Sequence, residues 1–480
     1  MNITELLKAG SDRYPERPAL LCGDEIYTYG RLWEAMRHMT GWLKLQGVTA
    51  GDRVLLLLPN SVEFVLGYLG TAALGASSVP LNHTLREHEL SYILGDCRPT
   101  LALTQARNAR VLQAAVKEAG CRTILAVVDE TPDNPALLEV IQSASPADPD
   151  GEGDETEAAL IYTRAEDGYP KGARLSQRAI RRNAEMTVEH WQSTPGEMVV
   201  AVLPLFHTYG LTTGIFSPLA RGLSILLIPH FNPKDICARI QQHRPAIFTG
   251  VPTMYAAMLG FADIGAYDLG SVRLWITGGM AMAPKLQIAF ERLIGKPMYE
   301  GYGLTENAPC AAFNWLEHPR KLGSIGRILR GMEGIIADPE GRELPRGQTG
   351  ELLIKSDSIM LGYLGHPELT AATVVNGWLH TGDIGRMDED GYVFLTGRSR
   401  DMFLTGGFNV YPKEVERLLL LHPKVAAAVV TGRPDPVYGE VGHAVVTAEE
   451  GTELTPDELT SYSRRVMAMY KIPRSFEVVG

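Results

Sequence analysis

Four short segments combine residue types that bind phosphate, a flat ring and a sugar. The first, YTRAEDGYPKG at 162–172, places glycines and Lys171 directly after an apolar stretch. Glycines let backbone N–H groups approach an anion, and a lysine adds positive charge, so the segment is typical of a phosphate-binding loop. Taken alone it is a weak signal, since many ordinary turns share this composition.

The second and third segments are YEGYGLTE at 299–306 and WLHTGD at 378–383. Tyr302 lies between glycines and can stack on a flat ring, because glycines allow close approach. Thr305 offers a hydroxyl to a phosphate, and Glu306 offers a carboxylate to a metal ion. Asp383 follows a glycine turn and can accept hydrogen bonds from two ribose hydroxyls. Each segment alone also fits a strand end or a simple turn.

The fourth segment is GRSRDMFLTGGFNVYP at 397–412. Arg398 can pair with a phosphate through its planar guanidinium group. The pair Gly406-Gly407 lets a narrow ligand pass close to the backbone.

The elements that must position these segments alternate between strand and helix. Arg53–Leu58 is an apolar run, and Ser61–Leu74 reads as an amphipathic helix after it. Repeated alternation of this kind predicts a mostly parallel sheet with helices on both faces. Beyond about residue 323, short alternating segments and acidic turns predict a small antiparallel barrel or sheet. After residue 400 the pattern predicts a compact α+β unit.

The composition excludes several classes of protein. The 480 residues include 45 Lys+Arg against 56 Asp+Glu, a net charge of −11, which argues against a dedicated nucleic-acid binder. Five scattered cysteines predict reduced thiols rather than a disulfide framework. The start of the chain shows no signal-peptide pattern and no window fits a membrane span. A cytoplasmic enzyme is therefore expected.

The order and spacing of the four segments resemble the adenylate-forming superfamily of acyl-CoA synthetases, adenylation domains and luciferases. Further stretches carry the resemblance along the whole chain: 51–70, 80–82, LPLFHTYGLT at 203–212, ITGG at 276–279 and KIPRSFE at 471–477. The resemblance implies a large N-terminal domain at 1–398, with subdomains of roughly 1–157, 158–322 and 323–398. A small mobile C-terminal domain at 399–480 would follow.

The resemblance also implies a role for each matching residue. The residues expected around the adenylate are Gly278, Gly279, Met280, Gly301, Tyr302, Gly303, Thr305, Asp383 and Arg398. His207 would lie where the acyl pocket meets the thiol tunnel, with Gly406 and Gly407 beside that tunnel. Glu306 would face magnesium if this ion binds, and Arg400 or Asp401 would be the hinge. Such enzymes join a carboxylate to AMP and then transfer the acyl group to a thiol.

The phosphate loop departs from the family pattern. Family members usually read Y-T-S-G-T-T-G-x-P-K-G, whereas this chain has Arg164, Ala165, Glu166 and Asp167 at the centre, followed by Gly168 and the retained Lys171. Two unit charges about 5 Å apart repel by roughly 3 kcal/mol at an effective dielectric of about 20. Two carboxylates facing a triphosphate are therefore expected to weaken ATP binding, with Arg164 offsetting part of the repulsion.

The lysine that family members carry in a C-terminal tail has no match before Gly480. Both departures affect adenylation, so we expect an enzyme that transfers the acyl group of a preformed acyl-adenylate to coenzyme A. This is similar to the thioesterification-only ligases of platensimycin-type antibiotic biosynthesis. A separate enzyme would supply the adenylate, and no tightly bound cofactor is expected.

Three alternatives remain open at this point. The chain could be a complete ATP-dependent acyl-CoA synthetase, an adenylate-binding pseudoenzyme, or a ligase that loads a carrier-protein thiol. His207 could act as a base, orient the thiol or only line the pocket. The identity of the acid cannot be read from the sequence.

Overall fold

The computed structural model describes residues 2–131, 135–150, 153–164, 169–398, 403–449 and 451–479. The elements up to residue 142 are α1 (Glu5–Arg13), β1 (Pro18–Cys22), β2 (Glu25–Thr28), α2 (Tyr29–Leu45), β3 (Arg53–Leu57), α3 (Val62–Ala73), β4 (Ser77–Pro80), α4 (Glu87–Cys97), β5 (Leu101–Thr104), α5 (Ala106–Glu118), β6 (Ile124–Val127) and α6 (Leu137–Gln142).

The central part of the chain supplies fifteen more helices and strands, which run as far as residue 328. They are β7 (Glu157–Arg164), β8 (Pro170–Ser176), α7 (Gln177–Glu189), β9 (Met198–Ala201), α8 (Thr208–Leu211), α9 (Ser217–Arg221), β10 (Ser224–Leu227), α10 (Pro233–His243), β11 (Ile247–Gly250), α11 (Pro252–Leu259), β12 (Leu274–Thr277), α12 (Pro284–Ile294), β13 (Met298–Gly303), β14 (Cys310–Phe313) and β15 (Arg327–Ile328).

The last part of the chain is richer in strands than in helices. Its elements are β16 (Glu333–Ala337), β17 (Thr349–Lys355), β18 (Gly362–Tyr363), α13 (Pro367–Thr373), β19 (Val374–Val375), β20 (Trp378–Met387), β21 (Val393–Arg398), β22 (Phe403–Thr405), β23 (Phe408–Val410), α14 (Pro412–Leu420), β24 (Val425–Asp435), β25 (Gly439–Ala448), α15 (Pro456–Val466) and β26 (Ser475–Val479).

Two large sheets form the body of the molecule. The nine-stranded sheet has the order β15-β14-β13-β12-β11-β9-β10-β1-β2, and the seven-stranded sheet has the order β18-β8-β7-β4-β3-β5-β6. The strands from β13 to β1 in the first sheet run parallel, as do those from β7 to β6 in the second. The predicted α/β architecture is confirmed.

The sheets exchange strands across the predicted divisions at 157 and 322. Strands β1 and β2 join the nine-stranded sheet, although the rest of that sheet comes from residues 198–328. Strands β7, β8 and β18 join the seven-stranded sheet. Local patterning cannot reveal this exchange, because a strand's hydrogen-bonding partner is chosen only when distant segments meet.

Helix α3 is buried on nearly all sides, so the prediction of an amphipathic helix here is wrong. Two glycines on different faces bring its neighbours close to the helix backbone. A Cβ at Gly67 would lie 2.7 Å from Leu103 in β5, and one at Gly70 would lie 2.8 Å from Met39 in α2. The helix is therefore wedged between a sheet and another helix, and apolar residues are required all round.

The third and fourth sheets are smaller. The third, β16-β17-β20-β19 with β21 beside β20, is antiparallel as predicted, and the turn at 388–391 joins β20 to β21. The fourth, β23-β22-β25-β24 with β26 beside β25, takes every strand from residues 403–479 and forms a small domain with α14 and α15. Across the described ranges, we find no helix with the length and apolar character needed to cross a membrane.

Candidate active site

A cavity of about 350 Å³ opens where the carboxyl ends of β12 and β13 meet the third sheet. Ligands commonly bind at the carboxyl ends of parallel strands. Residues from all four predicted segments or their flanks therefore come together here. The predicted site residues that line this cavity are Lys171, His207, Gly278, Gly279, Gly301, Tyr302, Gly303, Thr305, Glu306 and Asp383.

Tyr302 and Asp383 are joined directly, although 81 residues separate them in the chain. The Tyr302 hydroxyl donates to Asp383 Oδ2 at 2.5 Å, and Asp383 is only 4% exposed. Asp383 lies inside the continuous strand β20 rather than in a turn, which corrects the sequence interpretation. Gly382, at a φ of 71°, donates its N–H to Glu351 Oε1 at 2.8 Å and so places the aspartate.

Thr305 and Glu306 follow β13 at the same side of the cavity. Glu306 Oε1 accepts a hydrogen bond from the Tyr363 hydroxyl at 2.7 Å, and the Thr305 hydroxyl lies 3.5 Å from that of Thr208. The described part of the chain contains no group of three or more His, Cys, Asp or Glu side chains suited to a metal ion. Magnesium binding at Glu306 stays a prediction.

The phosphate loop joins β7 to β8. Arg164 ends β7 opposite Pro170, and Lys171 lies in β8 with its side chain largely buried at the cavity. Ala165, Glu166, Asp167 and Gly168 lie outside the described residues. The predicted weakening of ATP binding therefore stays a prediction that rests on the sequence.

His207 is fixed as a neutral side chain. Its Nδ1 accepts a hydrogen bond from the backbone N–H of Tyr209 at 3.2 Å, and burial lowers the pKa of the imidazole to about 4. With Nδ1 acting as an acceptor, the ring proton lies on Nε2. A neutral ring in this tautomer donates from Nε2, so the geometry favours orienting a substrate atom over acting as a base.

A second cavity, of about 130 Å³, lies between the large and the small domain. It shares Thr163, His207, Thr305 and Tyr411 with the first cavity. The rings of Phe206 from the large domain and Phe408 of the small domain are stacked, with 6.5 Å between the ring centroids, and both line this cavity. His207 therefore stands at the junction of two spaces, which is the arrangement expected for an acyl pocket and a thiol tunnel.

Gly406 and Gly407 form the turn between β22 and β23, with φ angles of 59° and 88°. A Cβ at Gly407 would lie 3.5 Å from Val251, which also lies 3.5 Å from a Cβ built at Gly279. The glycine turn thus approaches the predicted adenine strip without lining either of the two cavities.

Met280 does not line the cavity, and the position of the Arg398, Arg400 and Asp401 side chains lies outside the described part of the chain. Met280 turns away from it, and its Cε would lie 2.6 Å from a Cβ at Gly439 in the small domain. Arg398 in β21 lies opposite Asp383 in β20 in the antiparallel backbone register, and its side chain is not among the described atoms. The hinge candidates Arg400 and Asp401 lie outside the described residues.

Sequence reasoning missed residues that line one part of the cavity. These residues are Thr187, Trp191, Thr213, Cys310, Phe313 and Leu329. They come from α7 and its end, the stretch after α8, β14 and the loop after β15, so no local pattern connects them.

Glu300, within YEGYGLTE, is an unexpected buried carboxyl group. It is 6% exposed, and its Oε1 accepts a hydrogen bond from Met282 N at 3.2 Å. Burial raises its pKa to about 7. The side chain supports the loop at 280–282 rather than facing the cavity.

Comparison with known proteins agrees with this geometry. The sequence profile of AMP-binding enzymes matches residues 7–364, and that of the AMP-binding enzyme C-terminal domain matches residues 414–480. A long-chain-fatty-acid–CoA ligase of Bacillus subtilis is 30% identical, over 99% of this chain and 90% of the relative. A feruloyl-CoA synthase of Amycolatopsis is 32% identical, over 96% and 92%.

Solved structures show the same architecture over the whole chain. A double mutant of the o-succinylbenzoate CoA synthetase of Bacillus subtilis, bound with its product analogue OSB-NCoA, is 29% identical with a TM-score of 0.88, covering 99% of this chain and 94% of its own. ATP-bound MatB of Rhodopseudomonas palustris is 30% identical with a TM-score of 0.76, covering 100% and 95%. The chain therefore belongs to the AMP-binding, adenylate-forming family of enzymes that contains these acyl-CoA ligases.

Proposed function

We propose that the protein is an acyl-CoA ligase specialised for thioester formation. It would transfer the acyl group of a preformed acyl-adenylate to coenzyme A and release AMP. The observation that carries this proposal is a contrast within one site. Seven of the nine residues expected around the adenylate line one cavity, whereas the loop expected at the β and γ phosphates has Arg164, Ala165, Glu166 and Asp167 in place of hydroxyls and glycine.

The chemistry needs little help from acids or bases. The thiolate of coenzyme A attacks the acyl carbon, the bond from that carbon to the phosphate oxygen breaks, and AMP leaves with the electron pair. A thiol has a pKa near about 8.5, so a minority is ionised at neutral pH and its proton goes to solvent. The Nε2–H of His207 is available to orient the acyl oxygen or the thiol. Closure of the small domain limits attack by water.

The orientation of the small domain supports the thioester-forming step. The glycine turn at Gly406 and Gly407 approaches Val251, and Phe408 stacks on Phe206 beside His207.

A complete ATP-dependent acyl-CoA synthetase is the second candidate. The relatives named above favour it, because they are described as CoA ligases and synthases without a restriction to one half-reaction. A separate adenylating enzyme would be needed only under the first proposal. Resemblance to the ligases of platensimycin-type antibiotic biosynthesis likewise stays a prediction.

The acyl end of the cavity favours a compact, uncharged acid. Its walls include Trp191, Phe313 and Leu329, and the Thr213 hydroxyl already donates to the carbonyl of Tyr209 at 2.7 Å. Burial raises the pKa of the Cys310 thiol to about 11, so it stays neutral. The cavity of about 350 Å³ is also lined by the residues expected around the adenylate, so only part of this volume is left for the acyl group. An aryl acid fits this space better than a long fatty chain or a dicarboxylate.

One experiment tests both the step and the acid. Aryl, long-chain and dicarboxylic acids are each supplied with coenzyme A, once as free acid with magnesium-ATP and once as synthetic acyl-adenylate. Mass spectrometry measures acyl-CoA above the rate without enzyme. Product from adenylates alone supports the first proposal, and product from free acid supports the second. A preference for dicarboxylates or long chains would contradict the assignment of the acid.

A further inference from the structure

A buried ion cluster connects the small domain to the large one, away from the predicted adenylate site. Lys471 of the small domain contacts Glu89 Oε1 of the large domain and lies 3.0 Å from Glu414 Oε1 of its own domain. Their side chains are 2%, 4% and 3% exposed, respectively. The three residues line the cavity between the domains that also contains His207.

The two carboxylates differ in whether their contact with Lys471 depends on the orientation of the two domains. Glu414 begins α14, and Lys471 precedes β26, so their contact lies within the small domain. Glu89 belongs to α4 of the large domain, so its contact with Lys471 exists only while the domains are docked in this orientation. Undocking of the small domain separates Glu89 from Lys471, whereas the contact of Lys471 with Glu414 is kept. The Glu89–Lys471 pair therefore ties the charge balance of the cluster to the placement of the small domain.

The Glu89 side chain is oriented by contacts within the large domain, independently of the small domain. It occupies the third position of α4, and its Oε2 accepts a hydrogen bond from the backbone N–H of Arg86 at 2.9 Å. This bond fixes the carboxylate at the start of the helix, where a negative charge is also favoured by the helix dipole. A side chain fixed in this way loses little rotamer freedom when Lys471 arrives.

We propose that Glu89 and Lys471 are positioning residues that hold the small domain with its glycine turn at the mouth of the active site. The ion pair and the stack of Phe206 on Phe408 bracket the cavity between the domains. Forming the pair brings Gly407 against Val251 and closes the space beside His207. The inference rests on the proposed acyl transfer to a thiol, for which this closure is needed.

The test compares two glutamates in matched positions. Glu89→Gln removes the charge but keeps an amide that can still cap α4. Glu458→Gln makes the same change at the third position of α15, where Glu458 pairs with Lys424 at 2.9 Å inside the small domain. We expect Glu89→Gln to slow acyl transfer from an aryl adenylate to coenzyme A by at least about tenfold. AMP affinity should change less than about twofold in both variants, since it depends on the large domain.

A charge swap distinguishes the loss of domain docking from a general loss of structure. Glu89→Lys combined with Lys471→Glu restores a cluster of one lysine and two carboxylates, and should recover most of the lost rate. A pair of dyes at the exposed positions Leu45 and Val429 reports the distance between the domains. Unchanged transfer in Glu89→Gln, equal loss in Glu458→Gln, or no recovery in the swap would each overturn the proposal. If the wild-type chain transfers no acyl group, the proposed function fails, and the dye distance in Glu89→Gln alone decides the docking role.

Discussion

At the residue scale, Tyr302 and Asp383 form the most informative contact in the site. A tyrosine between two glycines presents a flat ring, while its hydroxyl fixes one oxygen of a buried carboxylate. An ionised carboxylate has several acceptor positions, so Asp383 can also accept hydrogen bonds from hydroxyl groups of a ligand. The pair thus links a surface for a ring to an acceptor for a sugar, which is the combination an adenosine requires.

Asp383→Asn is expected to weaken AMP binding by about tenfold to a hundredfold, because a hydrogen bond to a charged group is worth about 1.5–3 kcal/mol. Tyr302→Phe keeps the ring and should cost less than about tenfold. Calorimetric titration with AMP measures both. Asp388→Asn is the matched control, since Asp388 follows the same strand but binds Lys321 away from the cavity. Equal affinity in Asp383→Asn and wild type would remove Asp383 from the ribose assignment.

Glu300 should make stability depend on pH. Burial raises its pKa from 4.5 to about 7 in the folded chain, so the folded state holds a proton that the unfolded state has lost. Stability from this group is then present at low pH and is lost as the pH rises from about 4.5 to 7. Glu300→Gln removes this loss, and the variant should gain roughly 3 kcal/mol over the wild type at pH 8.

Urea unfolding at a series of pH values measures this difference. The free energies of unfolding of wild type and Glu300→Gln should converge near pH 4, where the carboxyl group is protonated in both states. A constant difference at every pH would show that the substitution acts through packing and not through titration.

At the element scale, the β22–β23 turn connects the small domain to the active site. Its two glycines have left-handed backbone angles that residues with a side chain adopt only with strain. A Cβ at Gly407 would also reach within 3.5 Å of Val251. The turn therefore needs glycine for its backbone shape, and a Cβ at Gly407 would be in van der Waals contact with the large domain.

Gly407→Val should slow acyl transfer by at least about tenfold, because a branched side chain adds a clash to backbone strain of order 1–3 kcal/mol. AMP binding should be unaffected. Gly451→Val is the control, since Gly451 has a similar φ of 77° but open space around it. Rates of transfer from a synthetic aryl adenylate measure both variants. Comparable slowing by both would assign the effect to strain in the small domain as a whole.

At the scale of the whole molecule, the two half-reactions of the family place demands on different parts of the chain. Adenylation needs a loop that holds a triphosphate, and thioester formation needs the small domain docked over the cavity. The altered residues fall at 164–167, whereas the docked contacts at Val251, Phe206 and Glu89 are all present. This contrast is what supports the proposed specialisation in the second half-reaction.

Restoring Ser-Gly-Thr-Thr at positions 164–167 should strengthen binding of magnesium-ATP by about a hundredfold. The substitution removes two carboxylates, and the repulsion between one carboxylate and one phosphate charge about 5 Å apart is roughly 3 kcal/mol. Because each 1.4 kcal/mol changes the affinity about tenfold, this corresponds to about a hundredfold. Calorimetry with a non-hydrolysable ATP analogue measures the change, with AMP affinity as the control that should stay constant. If ATP binds equally well to both loops, the altered loop does not impair triphosphate binding.

The amino-acid sequence determined the order of helices and strands, the two-domain organisation and most of the adenylate strip. These features are local, because hydrophobic periodicity and glycine-rich segments are set by neighbours in the chain. Ten predicted residues line one cavity as a result. Local patterning went wrong at α3, which packing buries on every side, and at Asp383, which lies in a strand.

Only the tertiary structure decided how distant segments meet. The exchange of strands between sheets, the bond from Tyr302 to Asp383 and the acyl walls at Trp191 and Phe313 join residues far apart in the chain. The same is true of Glu89 and Lys471, which are 382 residues apart. Burial, which removes these charges from water and gives the pair its strength, is a property of the packed molecule and not of any segment.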